Sequence, residues 1–377
     1  MTTTKYYSGT KFPAFGKIIL NGGGVVTSGS YNSLVSKSIT GGGLAVGSRG
    51  KISGELYLAD DETQQNNVTQ TIEGWMDADK NFVYQVVSWM ENNTLHLASG
   101  LMIKETGTDF EESQLWGNWE GFAIEASPQN PPQEPPNQKV YYFNSEMLFS
   151  IKGYYGTWSL PYGQSGNINP STMSINEKGL LWGTLYVDAG GGVTEEGQIG
   201  FGSDTPTGKI AENRELGIAN IYKDNGKVST MVFVKDGGAT DFSESDLQGE
   251  WAVFVTEMIG GAPPKNLYWI TANLKLDATG TLVSGDWKSF QGTTGTFLSG
   301  DVDISATGEL SGTFTTSDGR EMTTDEGRMG IARTYAACTL TKKDIGDEDF
   351  DTLNLGFFVK KTGPKGTLAP QHLLLLN

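Results

Sequence analysis

The sequence predicts an all-β protein of three tandem antiparallel up-and-down β-barrels, the first of them without its opening strand. Three observations carry this expectation. Gly-bounded strand pairs recur at 41–58, 171–187 and 300–316, and their reference glycines Gly54, Gly183 and Gly312 stand 129 residues apart at each step. A period that long indicates repeated whole domains rather than solenoid units. Period-two alternation recurs throughout, as in Asn273-Leu-Lys-Leu and Asp301-Val-Asp-Ile, while no apolar i, i+3, i+4 pattern persists beyond about three turns. The third observation is composition: 51 Gly and 13 Pro among abundant Thr and Ser suit short strands joined by many turns.

The repeats divide the chain into barrels at 1–108, 109–240 and 241–361, followed by a tail at 362–377. The junctions match one another. Both 101–119 and 231–251 run from a closing strand through an acidic Asp-Phe-x-Glu-Ser turn into Gly-x-Trp. After the third copy, the tail begins where a fourth opening strand would start, without its Gly-x-Trp.

The third copy shows its strands most plainly, at 248–258, 267–277, 281–290, 296–304, 309–316, 321–332, 334–341 and 352–360. Short Gly-containing turns such as Ala278-Thr-Gly280 and Ser317-Asp-Gly319 join several of them, as antiparallel hairpins prefer. Eight such strands can close on themselves and leave no edge. The second copy follows the same count, with an opening strand at 117–126 and a second at 139–152. The run Pro128-Gln-Asn-Pro-Pro-Gln-Glu-Pro-Pro136 between them cannot donate to a ladder and is expected to be a stiff surface loop.

At Gly117-Asn-Trp119 and Gly249-Glu-Trp251, each behind a short acidic turn, the chain resembles the calycin superfamily of lipocalins and avidin-like barrels. The resemblance implies that Trp119 and Trp251 plug the closed ends of their barrels. It covers copies two and three through single short motifs; the second lipocalin signature, Thr-Asp-Tyr, and a matching Arg are not evident.

In the first copy the count fails. Lys17-Ile-Ile-Leu20 aligns with Leu274-Lys-Leu-Asp277, and only about sixteen residues precede it, too few for a Gly-x-Trp strand. Seven strands would leave two open ladder edges, which natural proteins avoid. Thr4-Lys-Tyr-Tyr-Ser-Gly9 could turn back as a shortened strand, or the barrel could close with seven. The third candidate is the tail, whose Leu368, Leu373, Leu374, Leu375 and Leu376 are too apolar to hang in water. Against a strand stand the lack of alternation in four consecutive leucines and the presence of Pro370. Packing within the molecule and insertion into a neighbour both remain open. With barrels in a row, however, the nearest vacancy lies on the next molecule, as in strand addition between pilin subunits.

The remaining chemistry is sparse. Lys and Arg number 27 against 44 Asp and Glu, a net charge of −17, and such a field repels a phosphate backbone. A single cysteine, Cys338, rules out a disulfide framework. There is no apolar run of about twenty residues to span a membrane. No Gly-x-Ser-x-Gly, His-Glu-x-x-His or phosphate loop occurs, so no catalytic site and no cofactor are assigned. Asp344, Asp347, Asp349 and Asp351 cluster before the last strand as a weak Ca²⁺ candidate, against which a solvated acidic turn is preferred. The expectation is a non-enzymatic homopolymer subunit at the cell surface or outside the cell, the cytoplasm or a virion being the alternative. The rival class is a small-molecule or carbohydrate binder whose Trp158, Trp182, Trp269 and Trp287 line a cavity or stacking surface.

Overall fold

The structure, a computed structural model, describes residues 6–7, 15–21, 23–32, 36–60, 68–91, 94–105, 109–126, 141–150, 153–159, 165–188, 194–200, 206–223, 228–259, 267–344, 352–361 and 371–376. They form an all-β protein of three antiparallel barrels. The proline-rich segment 128–136 lies outside the described residues, as do Leu368, Asp347, Asp349 and Asp351.

The strands of the first sheet are β1 (Tyr6–Tyr7), β2 (Phe15–Leu20), β3 (Val26–Asn32), β4 (Ser36–Val46), β5 (Lys51–Asp60), β6 (Val68–Met76), β7 (Phe82–Glu91) and β8 (Thr94–Glu105). The second barrel contains β9 (Gly117–Ala126), β10 (Tyr141–Ser150), β11 (Gly153–Ser159), β12 (Ser165–Ile175), β13 (Leu180–Asp188), β14 (Thr194–Ile199), β15 (Gly208–Ile210), β16 (Leu216–Lys223) and β17 (Val228–Asp236). The third contains β18 (Gly249–Ile259), β19 (Leu267–Leu276), β20 (Leu282–Ser289), β21 (Thr294–Ile304), β22 (Glu309–Thr316), β23 (Arg320–Met329), β24 (Tyr335–Asp344) and β25 (Thr352–Lys360). The tail supplies β26 (Gln371–Leu376).

The third barrel closes in sequence order, β25 pairing back onto β18. The second closes through β9 and β17, with β14 and the short β15 sharing one position between β13 and β16. In the first, β2 to β8 follow in order and β26 lies antiparallel between β2 and β8. β1 does not take that place. It pairs parallel with Thr94 and Leu95, at the opposite end of β8 from β26.

Turn geometry corrects the alignment of the first copy by one residue. The amide of Asn21 donates to Val25 O and that of Leu44 to Gly24 O, as Asp277 does to Thr281 O and Val302 to Gly280 O. Ile18 therefore corresponds to Leu274, and both are core residues of their barrels.

Each barrel buries its inward parity in its own core. A fourth apolar cluster joins the three barrels through outward-facing residues: Phe82, Tyr84 and Ile103 from the first, Phe122, Ile218 and Val234 from the second, and Phe254, Tyr335 and Phe357 from the third. Tyr84 stacks on Phe357 at 4.8 Å between ring centroids, and Phe82 meets Tyr335 edge-on at 5.2 Å. The barrels are thus not beads in a row. The first touches the third directly, and the premise that the tail's nearest vacancy lies on another molecule does not hold.

A buried ion cluster fastens the second barrel to the third. Arg328 on β23 donates to Glu120 at 2.9 Å and Asp236 at 3.2 Å, and to the carbonyl of Thr307 at 3.0 Å. Its side chain is 4 % exposed. Removing one partner of such a cluster leaves buried charge uncompensated, so Arg328→Ala is expected to cost about 3–5 kcal/mol in chemical denaturation. A loss below about 1 kcal/mol would contradict this packing.

Candidate functional site

The place where β26 meets the first barrel is best read against the opening strands of the other two. In the third barrel a short 3₁₀ turn, Glu244–Asp246, leads into Gly249, whose φ of 131° only glycine holds without strain. The chain then swings so that Trp251 Nε1 donates back to Leu247 O at 2.7 Å. Lys360, directly opposite on β25, lies 5.3 Å over the indole and donates to Asp246 O at 2.8 Å. Burial pushes the Lys360 pKa down, and Asp246 opposes that shift.

The second barrel repeats the device. Gly117 has a φ of 118°, Trp119 donates to Leu115 O at 2.9 Å, and Lys235 opposite lies 5.4 Å over the ring and donates to Gln114 O at 2.8 Å. Burial likewise lowers the Lys235 pKa, against the field of Glu215. Both tryptophans are buried in their barrel cores. A lysine on the closing strand thus stands where the sequence reading looked for an arginine. The recurrence of Val234-Lys235, Val359-Lys360 and Ile103-Lys104 was the signal that could have found it.

In the first barrel Lys104 pairs with Leu373 of β26, and Leu373 also pairs with Ile18 of β2. Lys235 and Lys360 pair with Trp119 and Trp251, and Trp251 pairs with Leu274, the counterpart of Ile18. Both flanking strands therefore give one answer: Leu373 holds the register position of the tryptophans. Leu374, Leu375 and Leu376 then match Ala252, Val253 and Phe254. Of these, Val253 belongs to the third barrel's interior, and Ala252 and Phe254 to the junction between barrels. An opening strand here is apolar at both parities, which removes the objection that the leucines do not alternate. β26 starts at Gln371, and Pro370 lies outside the described residues.

The approach to this place is short. Lys361 donates its amide to Glu250 O at 2.7 Å and carries its ammonium 5.1 Å over Trp75 of the first barrel. From Lys361 to Gln371 the chain reaches at most about 33–36 Å. Cα atoms of β16 come within 8 Å of β26, so the second barrel also borders the site.

The strand β8 is braced by the turn before β7. Asn81 O accepts from the amide of Lys104 at 2.9 Å, and the carboxylate of Asp77 accepts from the amides of Asn81 and Phe82 at 2.7 and 2.9 Å. Burial pushes the pKa of Asp77 up to about 6, the two amides and Asp79 being lesser influences. The folded state therefore holds this proton more tightly than the unfolded chain, and stability falls as the pH rises from about 4 to about 6, staying level above that. Asp77→Asn keeps an oxygen for both amides. It is expected to raise stability at pH 7.5 by up to about 3 kcal/mol and to change little at pH 4, as read from denaturation midpoints at the two pH values. An equal effect at both would contradict the assignment.

The remaining sequence candidates do not converge on a site. Asp344 ends β24, and among the described residues no group of three or more His, Cys, Asp or Glu could hold a metal ion. Trp287 lies in the third barrel's core, Trp269 faces the junction, and Trp158 packs against the second barrel's core, donating to Asp188 O at 2.9 Å. Inside the third barrel is a narrow apolar cavity of about 30 Å³ bordered by Trp251, Leu276, Val302, Phe314, Met329 and Phe358. No described helix is long and apolar enough to cross a membrane.

No protein-family description matches the chain, and no curated protein does. Among solved structures, a protein of unknown function of the DUF3598 family from Nostoc punctiforme is 15 % identical, covering 66 % of this chain and 97 % of its own, with a TM-score of 0.23. A mutant of transferrin binding protein B from Haemophilus parasuis is 7 % identical, covering 97 % of this chain and 79 % of its own, at 0.28. HpuA from Kingella denitrificans, in complex with human haemoglobin, is 10 % identical, covering 71 % and 94 %, at 0.24. At these identities and scores they establish no family, and they carry no argument about function.

Proposed function

We propose that this chain is a structural subunit of an extracellular or cell-surface filament, assembled head to tail by passing its C-terminal strand into the first barrel of a neighbouring copy. The observation behind this reading is that, among the described strands, it is β26, from the far end of the chain, that closes the ladder between β2 and β8. A strand delivered over a separate connection is the kind of element exchanged between identical subunits. When the exchange does not close into a ring it propagates as a filament. Closure within one chain is the same contact made by a monomer. A short connection gives it an effective concentration in the millimolar range, so intermolecular insertion dominates where subunits are crowded or ordered on a surface.

The calycin-like device at Trp119 and Trp251 supports the alternative, a small-molecule or carbohydrate binder of that kinship. Ligand pockets occupy several hundred Å³, however, and the narrow cavity in the third barrel suits a solid structural element better. The reading is non-enzymatic and calls for no cofactor.

Two single-cysteine chains test it. Lys17 and Leu374 are paired across β2 and β26, so a mixture of Lys17→Cys and Leu374→Cys chains can form a disulfide dimer at this register only when a tail enters another molecule. Cys338 does not compete, because it is buried and its thiol is pushed up to about 12. The expected result is a disulfide dimer whose yield rises with concentration, and a polymer ladder from the double variant. Only internally closed monomer from the double variant, with no dimer from the mixture, would overturn the filament reading.

A further inference from the structure

In the second and third barrels, the segment that leads into the Gly-x-Trp strand caps one end of the barrel. Phe242 donates its amide to Ala306 O at 3.2 Å, in the turn between β21 and β22, and a Cβ built on Gly308 of that turn would lie 2.9 Å from the Phe242 ring. Arg333, in the turn between β23 and β24, lies 5.0 Å over the same ring and pairs with Asp241 at 2.7 Å. The second barrel repeats the arrangement. Phe110 donates to Glu177 O at 3.1 Å, a Cβ on Gly179 would lie 3.1 Å from its ring, and Arg214 lies 5.6 Å over the ring and 3.2 Å from Asp109. One cation thus holds both the aromatic face and the neighbouring carboxylate. Five residues on, Leu115 and Leu247 join the two barrel cores.

The first barrel has both turns. The amide of Gly47 donates to Lys51 O, as Asn176 does to Leu180 O and Ser305 to Glu309 O, which makes Gly50 the counterpart of Gly179 and Gly308. The amide of Lys80 donates to Asp77 O, as Arg214 does to Ala211 O and Arg333 to Gly330 O. These three cations share a left-handed backbone, with φ of 61°, 62° and 57°, a conformation uncommon outside glycine. Among the described residues the aromatic cap has no counterpart. The atoms nearest a Cβ on Gly50 all belong to Met76, and no leucine stands over Gly24 as Leu247 does over Gly280. Val46 registers the difference. It pairs with Ile52 as Ile175 does with Leu181 and Ile304 with Leu310, yet it is 36 % exposed where Ile175 is 7 % exposed and Ile304 packs against its core. In the sequence, Phe110 and Phe242 stand nine residues before their tryptophans, and the residue nine before Leu373 is Pro364, neither aromatic nor preceded by a carboxylate.

We propose that this end of the first barrel is a docking site for an acidic-aromatic segment of another protein, reading Asp-Phe with a leucine five residues on. The phenyl ring seats on Gly50 beside Val46 and Met76, the carboxylate pairs with Lys80, and the leucine covers Gly24. The same chain shows this fit twice, on barrels with the same turn hydrogen bonds, so the chemistry of the occupant follows from its own two examples. Asp109-Phe110 and Asp241-Phe242 are already held by their own barrels. The remaining Asp-Phe, at Asp349-Phe350, is followed five residues on by Leu355, which the junction buries. A separate polypeptide is therefore the occupant. Recognition needs both halves, since apolar burial supplies the drive and the ion pair rejects segments that lack the acid.

Titrating the full chain with a fluorescein-labelled peptide of residues 240–247, Thr-Asp-Phe-Ser-Glu-Ser-Asp-Leu, tests the site by anisotropy, with valine and methionine methyl resonances locating the contact. The expected result is saturable binding that shifts Val46 and Met76. Replacing the peptide's phenylalanine by alanine, or Val46→Asp in the chain, is expected to weaken binding about tenfold or more. Lys80→Ala is expected to weaken it and to flatten its dependence on salt. Val46 is exposed, so its variant is expected to fold; should it not, Lys80→Ala carries the test. Absence of binding, equal binding of the alanine peptide, or shifts confined to the second and third barrels would overturn the proposal. So would a dimer of the chain alone that Val46→Asp dissolves, since a second copy would then hold the site. The proposal stands apart from the filament reading, because the peptide reports on Val46 and Met76 and the disulfide mixture on Lys17 and Leu374.

Discussion

Two rows of backbone N–H and C=O groups, along β2 and β8, govern how this molecule is put together. Strands at a sheet edge recruit whatever extended segment is available, and a barrel with one position open presents two such edges facing each other. β26 answers both at once, pairing from Phe15 to Leu20 on one side and from Leu101 to Glu105 on the other. The ladder alone does not explain why the C-terminal segment serves. Proximity bears on that: the third barrel ends at Lys361, whose ammonium lies over Trp75 of the first barrel, and Gln371 is only ten residues further on.

The junction between barrels gives the same strand its second requirement. In a solitary barrel the outer face meets water and the sequence alternates. Here the opening strand of the third barrel buries Trp251 and Val253 inside and Ala252 and Phe254 against the other barrels. A strand at the equivalent place in the first barrel must likewise be apolar at consecutive positions, and four leucines meet that need. The tail's composition, the packing of three barrels about one cluster and the place of β26 between β2 and β8 are thus parts of one arrangement.

Much of the fold could be read from the sequence because the third copy alternates cleanly and punctuates its strands with glycine. All eight of its expected strands are present, and Gly117 and Gly249 carry the positive φ that the Gly-x-Trp turn needs. The grouping of barrels was not legible. Phe254, Tyr335 and Phe357 look like ordinary strand residues, and periodicity cannot say what packs on an outer face. The lysines over the tryptophans are visible in the sequence as the repeated Ile103-Lys104, Val234-Lys235 and Val359-Lys360, but only the register shows that two of them face Trp119 and Trp251. Residue types align Lys17 with Leu274, whereas the turn hydrogen bonds align Ile18 with it.

Hydrogen exchange on the full-length chain carrying Leu373→Asp tests most directly whether the first barrel depends on the tail strand. A carboxylate at the plug register should expel the strand. Amide protection should then collapse along β2 and along the Leu101–Glu105 half of β8, while β18 and β25 of the third barrel keep theirs. Unchanged protection of β2 and β8 would mean that the first barrel closes by other means and would contradict the account.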